Sequence, residues 1–251
     1  MSGHSKWATI KRKKGATDAA RGRLFTRLIK EITIAARSGG ASPEGNPRLR
    51  LAIQTAKGSN MPADNIKRAI MKGTGELPGT TYEEITYEGY GPAGVAILVD
   101  VVTDNANRAV SEMRHIFSRN NGNFGQSGSV AWMFHKKGTI TLPVSKNSLS
   151  EDDIMGVVLE AGADDLQSDG GDLIVITSPA AFDAVKKALE DKGAVIENAA
   201  LGMVPQNTVK VTGRDAEIVL KLMEALEEHD DVQNVYANFD IDDKELAALH
   251  G

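Results

Sequence analysis

Nine Lys or Arg and only two acids, Asp18 and Glu31, fall between Gly3 and Glu31. Lys6, Lys11, Arg12, Lys13 and Lys14 come first; Arg21, Arg23, Arg27 and Lys30 follow. Cations in such a line do one kind of chemistry well: they neutralise phosphates and release the counterions condensed on a polyanion. Trp7 stands inside the run, where it can stack on an unpaired base or fold back as an apolar anchor; both readings stay open. Phosphate contacts position a nucleic acid without reading it, so the segment promises affinity more than selectivity.

The charge is unevenly placed. The 251 residues carry 29 Lys+Arg against 34 Asp+Glu, a formal −5. Yet residues 1–80 hold 16 Lys+Arg and only 5 Asp+Glu, which leaves +11 there and −16 on the rest. A basic end on an acidic body suggests a polyanion binder. Cysteine is absent, which excludes disulfides, thiolate metal sites and cysteine nucleophiles. No run of about 18 apolar residues could span a membrane. The start lacks the apolar core of a secretory signal; it is acid-poor like an organelle transit peptide, but it runs on into a folded segment.

Other motifs invite chemistry and do not support it. Gly89–Gly94, GYGPAG, spells G-x-G-x-x-G, but a strand follows where a dinucleotide site needs a helix, so it reads as an interstrand turn. Asn120–Ser129, NNGNFGQSGS, lacks the Lys-Ser/Thr of a P-loop and is left as a candidate mobile binding loop. His4, His115, His135, His229 and His250 show no ligand spacing, so no metal and no cofactor is expected. Glu151–Asp153 and Glu227–Asp231 read as solvated acids. No nucleophile and base can be paired by spacing, and a nuclease would need a metal cluster that the sequence does not display. No catalytic residue and no small-molecule substrate is expected.

Ser2–Gly15 has no apolar periodicity and reads as an arm that orders on binding. A helix begins near Thr17-Asp18 and stops at Gly39-Gly40. At about 100° per residue, Leu24, Phe25, Leu28, Ile29, Ile32 and Ala36 share one side. Arg27, Lys30 and Arg37 lie within about 40° of Arg23 on the other. This predicts a buried apolar face and a solvent-facing basic track. Two further helices, 47–57 and 62–72, complete a three-helix unit whose Lys57, Lys67, Arg68 and Lys72 extend the positive field. Asn65 and Arg68 share a turn of the last helix, as a groove-reading helix would require, although the helix-turn-helix spacing is poor.

From Tyr82 onward short strands alternate with helices. Strands are expected at 94–102, 129–134, 138–144, 195–204, 207–212 and 232–239. A hairpin is expected around Gly170-Gly171, and helices at 105–120, 151–161, 179–191 and 215–228. Residues 138–204 then spell strand, helix, strand, strand, helix, strand, the ferredoxin-like order. The flanking elements make a second such unit with the first inserted into it. The class is α+β: a helical N-terminal domain followed by two ferredoxin-like α/β domains, one inserted in the other. The expected domains are 1–80, 81–136 with 205–251, and 137–204.

GHSKWATIK at the start, RGRLFTRLIKEI, GNPRLRLAI, NMPADNIKRAI, YEGYGPAGVAILVD and SGSVAWMF together resemble the YebC/PmpR family, which includes the mitochondrial translational activator of cytochrome oxidase. The likeness spans nearly the whole chain. Ala93, Ala106 and Ala109 depart from the usual pattern, which has a glycine, a basic or polar residue and a threonine there. The resemblance implies the same three-domain plan, a first residue that opens the mature protein, and a cytoplasmic, non-enzymatic regulator of gene expression. Family members are described as DNA-binding transcriptional regulators; others act on the ribosome at consecutive prolines. By resemblance, Lys6, Trp7 and Lys11–Lys14 lie in the nucleic-acid-binding region. The partner is then DNA or ribosomal RNA, with the ribosome as the larger target and no membrane. The arm favours RNA slightly, since RNA sites reward stacking and shape.

Overall fold

The computed structural model describes residues 18–169, 171–242 and 245–246. The arm with Lys6, Trp7, Lys11, Arg12, Lys13 and Lys14 lies outside the described residues, as do His4 and His250. No described helix is long and apolar enough to cross a membrane.

Helix α1 runs Asp18–Gly39, α2 Pro47–Gly58 and α3 Ala63–Thr74. The apolar stripe of α1 forms as expected. Leu28, Ile32, Ala35 and Ala36 pack with Leu49, Ala52 and Ala56 of α2 and Ile66 and Ala69 of α3. Leu24, at the end of that stripe, is 40% exposed. Asn46 joins the first two helices. Its side chain accepts from Leu49 N (3.0 Å) as the N-cap of α2, and its amide donates to Ala35 O (2.7 Å) and Gly40 O (3.0 Å) near the end of α1.

A four-stranded antiparallel sheet follows, built from β1 Glu83–Tyr90, β2 Ala96–Thr103, β3 Asn123–Phe124 and β9 Val232–Ala237 in the order β3-β1-β2-β9. Helices α4 Ala106–Arg119 and α7 Gly213–Glu227 bring Met113, Phe117, Val219, Leu222 and Met223 into a fully buried core with Ile97, Val99 and Val101 of β2. Removing a side chain of this size from water stabilises by roughly 1.5–3 kcal/mol, far more than any surface ion pair. The apolar pattern therefore decides which helix face turns inward.

Inserted between β3 and β9 is a second antiparallel sheet. Its strands are β4 Phe134–Pro143, β5 Ala163–Asp169, β6 Asp172–Thr177 and β7 Asn198–Pro205, in the order β5-β6-β4-β7. Helices α5 Glu151–Glu160 and α6 Phe182–Asp191 cover one face, with Ile154, Val158, Val185 and Leu189 on Ile140, Leu142, Leu173 and Val175. This is the ferredoxin-like strand order. A parallel pair, β8 Val209–Lys210 with β10 Phe239–Asp240, completes the chain. The fold is thus α+β, helical at the N-terminal end, with one α/β unit inserted in the other.

Several local expectations are corrected. The discontinuous sheet contains β1, which alternation had not marked, and lacks the expected strands 129–134 and 207–212. Residues 131–133 form a 3-10 turn, and the strand after it runs unbroken through Gly138. The described residues fall into two compact units: 18–131 with Val211–Ala237, and Trp132–Lys210 with the residues from Asn238 on.

In the interstrand turn at 89–94, Ala93 adopts φ 57°, the left-handed region that costs a non-glycine residue roughly 1–2 kcal/mol. Ala93→Gly relieves that strain but frees the unfolded chain. A net stabilisation of up to about 1 kcal/mol is expected by denaturant titration; a loss of stability would mean that the turn carries no strain.

Candidate nucleic-acid interface

The basic side of α1 does not stand in open solvent. Lys30 is 6% exposed. Its ammonium donates to Asp231 Oδ1 (2.6 Å), Asp230 O (2.9 Å) and Val102 O (3.2 Å). Arg27, half-buried, donates through Nη2 to Glu227 O, while its Nε is buried without a hydrogen-bond partner. Arg23 lies 3.6 Å from Glu228 Oε1. The acids Glu227–Asp231, expected as a solvated run, form the turn between α7 and β9 that receives this face. The expectation of a continuous solvent-facing track through Arg23, Arg27 and Lys30 is corrected. Periodicity separates an apolar from a polar face but cannot tell water from a carboxylate on the far side of it.

Asp231 is the centre of that contact. Besides Lys30 it accepts from Thr103 Oγ1 (2.8 Å) and Arg108 Nη2 (2.8 Å). Burial alone would push its carboxyl up; the hydrogen bonds from Lys30, Arg108 and Thr103 outweigh burial and hold it at about 2. His229 closes the ring. Its Nδ1 accepts from Asp231 N (3.1 Å), so the ring proton sits on Nε2, 2.8 Å from Glu112 Oε2. Glu112, His229 and Asp231 thus bring three metal-type donors within 4.8 Å of one another, an arrangement that sequence spacing could not show. A divalent cation there would face the Lys30 ammonium and the Arg108 guanidinium on the same carboxylate. The donor set suits a closed ion network better than a metal.

The glycine-rich loop is likewise committed. Glu88, 5% exposed on β1, accepts from Gly128 N (2.6 Å), Val130 N (2.7 Å) and Ala131 N (2.8 Å). Burial raises its carboxyl, and these backbone donors more than reverse the effect, leaving it below the ordinary glutamate value. Tyr90 Oη donates to Ser129 O (2.9 Å). Within the loop, the amides of Gly125 and Gly128 are taken by the Glu88 carbonyl and carboxylate and that of Ser129 by Gln126 O, so these three are closed to a phosphate. Just beyond, Trp132 is 66% exposed; strand alternation had hidden it.

Open cations remain on the other end of the helical segment. Arg37, Lys57, Lys67, Arg68 and Lys72 are exposed, and none of them forms an ion pair among the described residues. Arg37 and Lys72 occupy the last turns of α1 and α3. Arg48, by contrast, is spent between Glu31 and Glu84, whose hydrogen bonds raise its guanidinium further above its ordinary value. Asn65, half-buried, and Arg68, exposed, share a turn of α3.

The model of the TACO1/YebC protein N-terminal domain matches residues 5–76, and that of the TACO1/YebC second and third domain matches residues 82–239. A "Probable transcriptional regulatory protein" of Solibacter usitatus is 60% identical over 249 residues, 99% of each chain. One of Koribacter versatilis is 58% identical over 251 residues, the whole of both chains. The crystal structure of a conserved hypothetical protein from Aquifex aeolicus superposes with a TM-score of 0.80 at 48% identity, covering 90% of this chain and 93% of that one.

Proposed function

The chain belongs to the TACO1/YebC family, and from that premise we propose that it is a nucleic-acid-binding regulator of gene expression, cytoplasmic and without catalytic activity of its own. The relatives' name makes transcription the first process to test. The observation that carries the proposal is the set of exposed cations on the helical segment, Arg37, Lys57, Lys67, Arg68 and Lys72, continuing a basic N-terminal sequence on an otherwise acidic chain. Such a field binds phosphates through counterion release. Lys6, Trp7 and Lys11–Lys14 are proposed to supply the remaining contacts. Arg23, Arg27 and Lys30 are proposed to act indirectly, by fixing α1 against the acidic turn.

A second reading is ribosomal RNA, with a role in translating difficult stretches such as consecutive prolines. It is favoured by the acidity of the rest of the chain, which would repel a long duplex but accept basic proteins. Crosslinking in growing cells, with both RNA and DNA sequenced, separates the two. Promoter DNA enriched over RNA supports the transcriptional role. Ribosomal RNA enriched at discrete positions, and lost when Lys11–Lys14 become Ala, supports the second. Enrichment of neither would overturn the proposal.

A further inference from the structure

Arg37 and Lys72 border a cavity of about 360 Å³ between the C-terminal ends of α1 and α3 and the segment 75–82. Thr80 and Thr81 line it as well. Two close approaches build its walls. A Cβ on Gly73 would sit 2.3 Å from Thr33 O and 2.9 Å from Ala36 Cβ, so only glycine lets α3 cross α1 closely enough to bring both cations to one cleft. A Cβ on Gly79 would lie 3.1 Å from Lys72 Cβ and 3.2 Å from Lys72 Cγ, so the lysine stem rests on the glycine backbone. Tyr82, on the far wall, is held under the buried Lys30 ammonium, 5.8 Å from the ring centre.

The charge balance favours an anion. Each helix C-terminus contributes roughly half a negative charge, so two of them weigh less than two full cations. Carbonyls at both helix ends are also engaged: Lys72 O by Gly75 N (3.4 Å), Met71 O by Leu77 N (3.1 Å) and Ala36 O by Gly40 N (2.9 Å). The lining then includes an arginine, a lysine and two threonines, residue types whose donors suit a phosphate.

We propose that this cleft seats one backbone phosphate of a flexible single-stranded nucleic acid, Arg37 and Lys72 holding the phosphate and Thr80 and Thr81 its flanking oxygens. The proposal rests on the nucleic-acid function above and adds a site to it. A concave seat admits a strand that can bend into it, whereas the phosphates of a stiff duplex would bridge its rim.

The test is a salt series of binding titrations on the full-length protein with labelled oligouridylate, duplex DNA of mixed sequence, and inorganic phosphate as competitor. Arg37→Gln with Lys72→Gln removes the seat without touching the core. Gly79→Val keeps every charge but pushes the Lys72 stem aside. Thermal unfolding of each variant confirms that it folds. The double variant is expected to lower the slope of log affinity against log salt by about 0.7, one single-strand phosphate. Gly79→Val is expected to weaken oligouridylate binding several-fold and duplex binding little. If Gly79→Val binds like the parent while the double variant does not, the cations act as a diffuse field and the seat is overturned. Equal loss on duplex and single strand overturns the preference for a single strand. If inorganic phosphate competes fully at low concentration, the site serves the free anion instead. A parent protein that binds neither nucleic acid defeats the functional proposal itself, an outcome distinct from all of these.

Discussion

Asp231→Asn is expected to lower the stability of the protein by about 3–5 kcal/mol, the cost of leaving a buried charge without its partner. The asparagine keeps the shape and can still accept from Thr103. It cannot balance Lys30, a residue 6% exposed whose ammonium otherwise meets the carbonyls of Val102 and Asp230 and the Tyr82 ring. Lys30→Met is expected to cost less, because Asp231 would retain Arg108 and Thr103. That order, aspartate worse than lysine, is the mark of a hub; equal losses would indicate an isolated pair. At about 2–4 °C per kcal/mol for a chain of this size, the difference is measurable in a thermal scan. The double variant completes a cycle that isolates the coupling between the two side chains.

Acid should act through the same carboxylate. Its folded value of about 2 lies below the ordinary aspartate value of about 3.9. The native state therefore binds fewer protons than the unfolded one, and stability rises with pH across that interval. The contribution is complete above about pH 4 and is lost as pH falls toward about 2. Asp231→Asn should flatten the stability curve in that window. If the variant and the parent lose stability in parallel there, the network is not held by ionised Asp231.

Much of this architecture was legible because local apolar patterns report burial. The stripe of α1 and the strand-helix alternation of 138–204 follow from side chains that must leave water, whatever they meet. Two kinds of feature were not legible. Strand β1, EEITYEGY, carries acids on both sides, and their partners come from distant segments: Arg48 for Glu84 and the loop amides for Glu88. A strand whose polar groups are satisfied by tertiary contacts looks, as a sequence, like a surface loop. The docking of α1 is the second case. Lys30 and Asp231 are 201 residues apart, and neither residue's neighbours betray the other. The same blindness placed Trp132 in a strand: SVAWMF is apolar enough for one, yet its first residues are held as a turn by Glu88.

That glutamate carries the other large effect. Glu88→Gln is expected to cost about 3 kcal/mol, since hydrogen bonds to an ionised acceptor are worth about 1.5–3 kcal/mol each and a buried amide left unpaired costs about as much. Three amides, those of Gly128, Val130 and Ala131, point at two carboxylate oxygens. Glutamine offers one oxygen, and its NH₂ would face a donor with a donor. The apolar stem is unchanged, so a loss of this size would come from the carboxylate head and its amide partners and not from packing. Hydrogen exchange gives the local test: the amides of residues 128–131 should exchange much faster in the variant, while those of β2 and β9 change only as far as global stability falls. Because acid neutralises the same carboxylate, the parent protein at low pH should reproduce the exchange pattern of the variant, and the variant itself should respond less to acid at these positions. Should the loop stay protected in Glu88→Gln, its shape would be set by the glycines and by Tyr90 on Ser129 O, and the carboxylate would be a guest in a turn that forms without it.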